Sequence, residues 1–67
     1  MTHDEVKIRL VKLHKTQRWL LAEVKKRGYS NLHEPIFSDI LGGKYCTEMA
    51  DGVLSTVEQI LTEHESS

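Results

Sequence analysis

Cysteine is almost absent from this chain, and no long apolar run occurs in it. One residue of 67, Cys46, is a cysteine, which excludes an internal disulfide framework and favours a reducing compartment. No apolar run approaches the roughly 18 residues of a membrane span, and the charged start lacks the apolar segment of a signal peptide. We therefore expect a cytoplasmic protein without a membrane partner, folded as a single domain over residues 1–67 with one core.

Motifs for catalysis and metal binding are also missing. No two histidines are spaced i, i+4, and no cysteine cluster accompanies them, so a zinc site is not expected. No segment resembles a nucleophile–base pair, a phosphate-binding loop or a carboxylate dyad. These absences predict a protein that is not an enzyme and needs no cofactor.

The net charge of −1 conceals two halves of opposite sign. Residues 1–27 contain eight Lys or Arg against three Asp or Glu, a net of +5, whereas residues 28–67 contain one against seven, a net of −6. Such a distribution can orient a protein on a polyanion or on a second copy of itself. Two unrelated solvated faces would give the same pattern.

Periodicity and capping signals predict helices throughout the chain. Thr2 with Glu5 is a capping-box pattern for a first helix over residues 3–14, whose apolar face Ile8 and Val11 widen. Thr16 is the expected cap of a second helix that stops at Gly28.

The second half of the chain predicts two more helices. Asn31 with Glu34 is the expected cap of a third, which ends at Gly42-Gly43, and Thr47 is that of a fourth. Because no segment alternates with period two, the predicted class is all-α, a compact bundle of four to five helices. We expect one core that contains Leu10, Leu20, Val24, Phe37, Ile40, Val53 and Val57.

The order of several residues resembles the lambda-repressor-like helix-turn-helix family. The matching features are Thr16-Gln17 in "KTQRWLL", Leu20, the run "FSDILGGK" at residues 37–44, and the later "VLSTVEQIL". Short phage- and prophage-associated members are the most similar, over about residues 5–61. The resemblance implies a helix-turn-helix at about residues 16–43 and a DNA-binding transcriptional regulator, whose third helix enters the major groove of double-stranded DNA.

The resemblance also implies roles for individual residues. Gln17 matches a phosphate contact at the start of the second helix, Lys44 matches a backbone clamp after the third, and Arg18 would add charge beside them. The positions that face the bases correspond to His33, Glu34, Pro35, Ser38 and Asp39.

Two features depart from the family pattern. The distance from Thr16 to the third helix is about six residues longer than in the simplest members, which implies a lengthened turn. Glu34 and Asp39 can accept hydrogen bonds from cytosine but also repel phosphates. A protein-interaction module, an anti-repressor or co-repressor that docks on another phage regulator, therefore stays open as an alternative.

A homodimer would add the affinity that one small module lacks. The expected dimer surface is the last helix, from Val53 to Leu61, or its exposed edge. Two smaller questions also stay open. Trp19 could be a half-buried structural residue or a stacking contact, and Ile36 with Leu41 could pack under the longer turn or form a patch for a partner.

Overall fold

Four α-helices follow one another in the computed structural model, which describes residues 3–45 and 47–66. They are α1 (His3–Lys12), α2 (Gln17–Lys26), α3 (Glu34–Leu41) and α4 (Glu48–Glu65). These two ranges contain no strand, so the all-α class is confirmed for them, with four helices. None of the four combines the length and the apolar character needed to cross a membrane. The expectations for Thr2 and Cys46 lie outside the described residues.

The helices begin as the sequence predicts in two cases and differently in a third. The hydroxyl of Thr16 accepts the N–H of Trp19 at 3.1 Å, and that of Thr47 accepts the N–H of Ala50 at 3.2 Å. Both threonine caps are therefore confirmed. The expected Asn31 cap is wrong, because α3 begins later, with His33 in the extended cap position and without a side-chain cap hydrogen bond.

Left-handed residues end three of the helices. Gly28 after α2 and Gly43 after α3 have φ of 125° and 83°, which glycine adopts without a Cβ penalty. His14 takes the same role after α1 with φ of 58°, and the N–H of Lys15 then reaches the carbonyl of Leu10 at 2.9 Å. This Schellman turn ends α1 two residues before the expected boundary.

One apolar core joins all four helices. Phe37 and Ile40 of α3 are fully buried between α2 and α4, and every residue expected in the core is buried. α4 contributes the longest stripe, and α1 adds Val6 and Leu10. The members of this core are Val6, Leu10, Leu20, Leu21, Val24, Leu32, Phe37, Ile40, Leu41, Ala50, Val53, Val57, Ile60 and Leu61.

Arg9 fixes α1 to the far end of α4. Its guanidinium donates to Glu58 at 2.6 Å and to Glu65 at 2.5 Å, and approaches the Thr62 hydroxyl at 3.5 Å. The hydrogen bonds to Glu65 and Glu58 raise the pKa of Arg9, and the same contact lowers the pKa of Glu65. Two parallel bonds to Glu65 make this contact bidentate, and it is compatible with the orientation of α1 that buries Val6 and Leu10.

Residues 27–33 form the connection between α2 and α3, longer than the usual turn of about three to four residues in a helix-turn-helix. Leu32 of this connection is buried, and Leu41 is only 2% exposed. Ile36 is half-buried and lines a depression of about 310 Å³ together with Tyr29 and Leu32. Ile36 is therefore partly covered beside the longer connection, as the first of the two alternatives predicted, whereas Leu41 is buried in the core; the two residues form no exposed patch.

The apolar residues of α4 are used inside the domain. Val53, Val57, Ile60 and Leu61 are fully buried, so they cannot form the expected dimer surface. Of the predicted dimer surface, only the exposed edge of α4 is accessible to a partner, and this edge is polar. In contrast, Ile8 and Val11 of α1 are 56% and 72% exposed, although they were expected to extend the apolar face of that helix.

Candidate nucleic-acid interface

The start of α2 lies beside the start of α3. Thr16 caps α2, and Gln17 and Arg18 are its first two residues. The Arg18 side chain is 85% exposed, and its Nε lies 3.8 Å from a carboxylate oxygen of Glu34, the first residue of α3. The fold thus brings together two of the residues that the sequence assigned to phosphate contact and to base contact.

α3 has one buried side and one accessible side. Phe37, Ile40 and Leu41 are buried, and they hold the helix against its neighbours. His33, Glu34 and Pro35 are exposed, whereas Ser38 and Asp39 are half-buried. All five residues expected to face bases are therefore accessible to some degree, most of all in the first turn of the helix.

Lys44 is held at the opposite end of α3. Its N–H donates to the Asp39 carbonyl at 3.0 Å, and the N–H of Gly43 donates to Ile40 at 3.1 Å. This is a Schellman motif, which fixes the direction of the chain after the helix. The Nζ of Lys44 lies 3.5 Å from a carboxylate oxygen of Asp39, so Lys44 returns toward the helix that it follows.

Each carboxylate on α3 is thus matched with one of the two expected phosphate-binding cations. Arg18 pairs with Glu34 and Lys44 with Asp39. Both pairs are long and solvent-exposed, and such pairs contribute at most about 1 kcal/mol. The sequence did not predict either ion pair. The short spacing between Asp39 and Lys44 could have indicated the second pair, whereas no local pattern indicates the first.

A second group of side chains stands at the start of α2. Trp19 is half-buried, and its ring meets that of His64 edge-on at 4.9 Å, with 83° between the ring planes. The Nζ of Lys15 lies 5.3 Å from the centre of the indole ring, a cation–π distance. The half-buried position expected for Trp19 is confirmed, and the ring packs against the core; its role as a stacking contact stays a prediction.

Comparisons with protein-family models, with curated proteins and with solved structures find no match to this chain. Within the described residues, no group of three or more His, Cys, Asp or Glu side chains converges on a point that could hold a metal ion. The arrangement at α3 is instead two cations at the ends of a helix, with carboxylates and small polar groups between them.

Proposed function

We propose that the chain is a DNA-binding transcriptional regulator of the lambda-repressor-like helix-turn-helix type, of phage or prophage character. One observation carries the proposal: the accessible side of α3 lies between Arg18 and Lys44, and each cation contacts a carboxylate of that helix. In a helix-turn-helix, the recognition helix presents its N-terminal residues to the bases while flanking groups bind phosphates. The exposed first turn of α3 and its two flanking cations suit this division of tasks.

Besides the cations Arg18 and Lys44, Gln17 and the backbone N–H groups at the start of α2 would face a phosphate. The first N–H groups of a helix favour an anion, and Arg18 adds a mobile positive charge at the same end. Lys15 stands beside them over the Trp19 ring. In this proposal, Gln17, Arg18 and Lys44 position the phosphate backbone and do not select a sequence.

The carboxylates of α3 give the proposed interface an unusual property. In the free protein, Glu34 and Asp39 lie close to the cations that a phosphate would bind. Charge-assisted hydrogen bonds to phosphate can replace such weak surface pairs. Once the cations have turned to the backbone, the carboxylates can accept from cytosine amino groups and repel other sites. The protein would then discriminate between DNA sequences but bind random duplex weakly.

The test compares the wild type with Glu34→Gln/Asp39→Asn on duplex fragments of the source genome and on random duplex at one salt concentration. The double amide should bind random duplex more tightly, because two repulsive charges are gone. It should also lose preference for the native site, since each good base contact contributes about 1–3 kcal/mol.

Glu58→Gln/Glu63→Gln is the matched control. It removes two carboxylates that pair with Arg9 and Arg27, away from α3. This control should leave sequence preference unchanged. A wild type that prefers no duplex, at any salt concentration, would contradict DNA recognition.

The same ion pairs favour a second candidate, a protein-interaction module that docks on another regulator. With Arg18 and Lys44 offset by Glu34 and Asp39, the side of α3 is nearly neutral, and its carboxylates could pair with a basic DNA-binding face. An anti-repressor or co-repressor would act in this way. If the chain is such a module, Glu34→Gln/Asp39→Asn should weaken its binding to a repressor-like protein of the same genome, and the wild type should prefer no duplex.

A further inference from the structure

The indole of Trp19 contacts one side chain that precedes α2 and another near the end of α4. The Nζ of Lys15 lies 5.3 Å from the centre of the indole ring, within the range of a cation–π interaction. The ring of His64 meets the same indole edge-on at 4.9 Å. Trp19 itself is half-buried and packs against the core. The fold therefore fixes the indole, and the exposed Lys15 lies over it.

Lys15 differs from the two cations at the ends of α3. Arg18 lies 3.8 Å from Glu34, and Lys44 lies 3.5 Å from Asp39, so a phosphate must compete with a carboxylate for each of them. Within the part of the chain that the structure describes, Lys15 forms no ion pair, and its ammonium meets an aromatic ring instead. A phosphate that approaches Lys15 thus has no carboxylate to displace.

We propose that Trp19 positions Lys15 as a further phosphate contact of the DNA interface. The inference rests on the DNA binding proposed above. Lys15 immediately precedes the Thr16 cap, at the end of α2 where Gln17 and Arg18 also lie. A lysine ammonium has three N–H donors, and a contact with the face of a ring leaves donors for phosphate oxygens. Lys15 can therefore bind a phosphate while it stays over the indole.

The contact with Trp19 lowers the entropic cost of binding. A lysine side chain loses much of its rotamer freedom when its ammonium is fixed on a partner. Because the indole already restricts Lys15 in the free protein, less freedom is lost when DNA binds. The gain in affinity should be about two- to fivefold, the size of an exposed cation–π interaction. Trp19 is thus a positioning residue that acts through Lys15 and does not stack on a base.

Titrations of one random duplex over a range of salt concentrations test the proposal. Lys15→Met should weaken binding and lower the slope of log affinity against log salt by about one. Trp19→Leu should weaken binding about two- to fivefold with an unchanged slope, because the ammonium is still present. In the Lys15→Met background, Trp19→Leu should have no further effect. Lys25→Met, at an exposed position in the last turn of α2, is the matched control and should change neither affinity nor slope.

Two further measurements separate positioning from a structural role. Circular dichroism verifies that each variant is folded, and Trp19→Phe, which keeps an aromatic ring, should retain more affinity than Trp19→Leu and replaces it if the latter is unfolded. In the unsubstituted protein, the proton resonance of the Lys15 ε-methylene should be shifted upfield by the indole, and it should stay shifted in the complex.

The outcomes distinguish this inference from the proposed function. A wild type that binds no duplex overturns both. If the wild type binds, an unchanged salt slope in Lys15→Met overturns the phosphate contact alone. Tighter binding by Trp19→Leu, or an ε-methylene shift that disappears in the complex, would show that the indole competes with phosphate for Lys15. An equal effect of Trp19→Leu with and without Lys15 would make the role of Trp19 purely structural, and each of these three results overturns the positioning.

Discussion

The phenolic oxygen of Tyr29 occupies the space in which a Cβ on residue 52 would stand. Tyr29 belongs to the connection between α2 and α3, and Gly52 lies in the second turn of α4. Helix propensity alone treats a glycine there as a defect of about 0.5–1 kcal/mol relative to alanine. Because residue 52 has no Cβ, the hydroxyl of Tyr29 can lie against the backbone of α4. Gly52 thus allows the long connection to approach this helix.

Gly52→Ala should accordingly fail to stabilise the protein, because Tyr29 must turn away and lose its packing against the core. In a Tyr29→Phe background the hydroxyl is gone, and the next ring atom would be 3.5 Å from the new methyl group, an ordinary contact. The same substitution should then be neutral or stabilising by about 0.5–1 kcal/mol. Denaturant unfolding of the four proteins gives the coupling energy. An equal effect of Gly52→Ala in both backgrounds would show that the hydroxyl is not the obstacle.

Arg9→Met should lower the melting temperature at neutral pH, because α1 loses its ion pairs with α4. The carboxyl pKa of Glu65 is lowered by Arg9, so the stability from this contact is present above the pKa of the unfolded chain. That stability is lost as the pH falls through the lower pKa of the folded state. The difference between wild type and variant should therefore shrink in acid. Lys25→Met, at an exposed position of α2, is the control and should show little difference at any pH.

His33 is an unfavourable cap for α3, since its side chain makes no cap hydrogen bond. His33→Ser should stabilise the protein by about 0.5–1 kcal/mol, because the hydroxyl can accept a free N–H of the first turn. Asn31→Ala should have little effect, since α3 does not begin at Asn31. Thermal unfolding of both variants separates the two positions. A large loss of stability in Asn31→Ala would show instead that Asn31 caps α3.

Phe37→Ala should destabilise the domain by about 3–5 kcal/mol, as the truncation of a fully buried aromatic side chain does. In a domain of this size, such a loss is enough to unfold the protein. Tyr45→Ala removes an aromatic side chain that is 42% exposed and serves as the control. Equal melting temperatures for wild type and Phe37→Ala would place Phe37 outside the core.

Arg18→Ala and Lys44→Ala should each weaken the proposed DNA binding on every duplex by a similar factor. Removing one phosphate contact should also lower the slope of log affinity against log salt by about one. In the Glu34→Gln background, Arg18→Ala should cost more affinity, because Arg18 no longer has a competing carboxylate. A loss confined to one sequence, with an unchanged salt slope, would instead assign base recognition to the substituted residue.

The sequence by itself determined the features that depend on neighbours along the chain. The threonine caps at Thr16 and Thr47, the stop at Gly28 and the buried positions of Phe37 and Ile40 all follow from local hydrogen bonding and helical periodicity. The local pattern was wrong at Asn31, because a capping signal that can be read at one residue does not exclude a start two residues later.

Only the tertiary structure decided which apolar side chains stay outside and which charges meet. Ile8 and Val11 have the same character as Val6 and Leu10, but only Val6 and Leu10 pack into the core, in the orientation of α1 in which Arg9 also reaches Glu58 and Glu65 of α4. The contact between Arg18 and Glu34 joins two helices, and that between Tyr29 and Gly52 joins the connection after α2 to α4. Periodicity describes one helix at a time, whereas these contacts depend on how helices pack against each other.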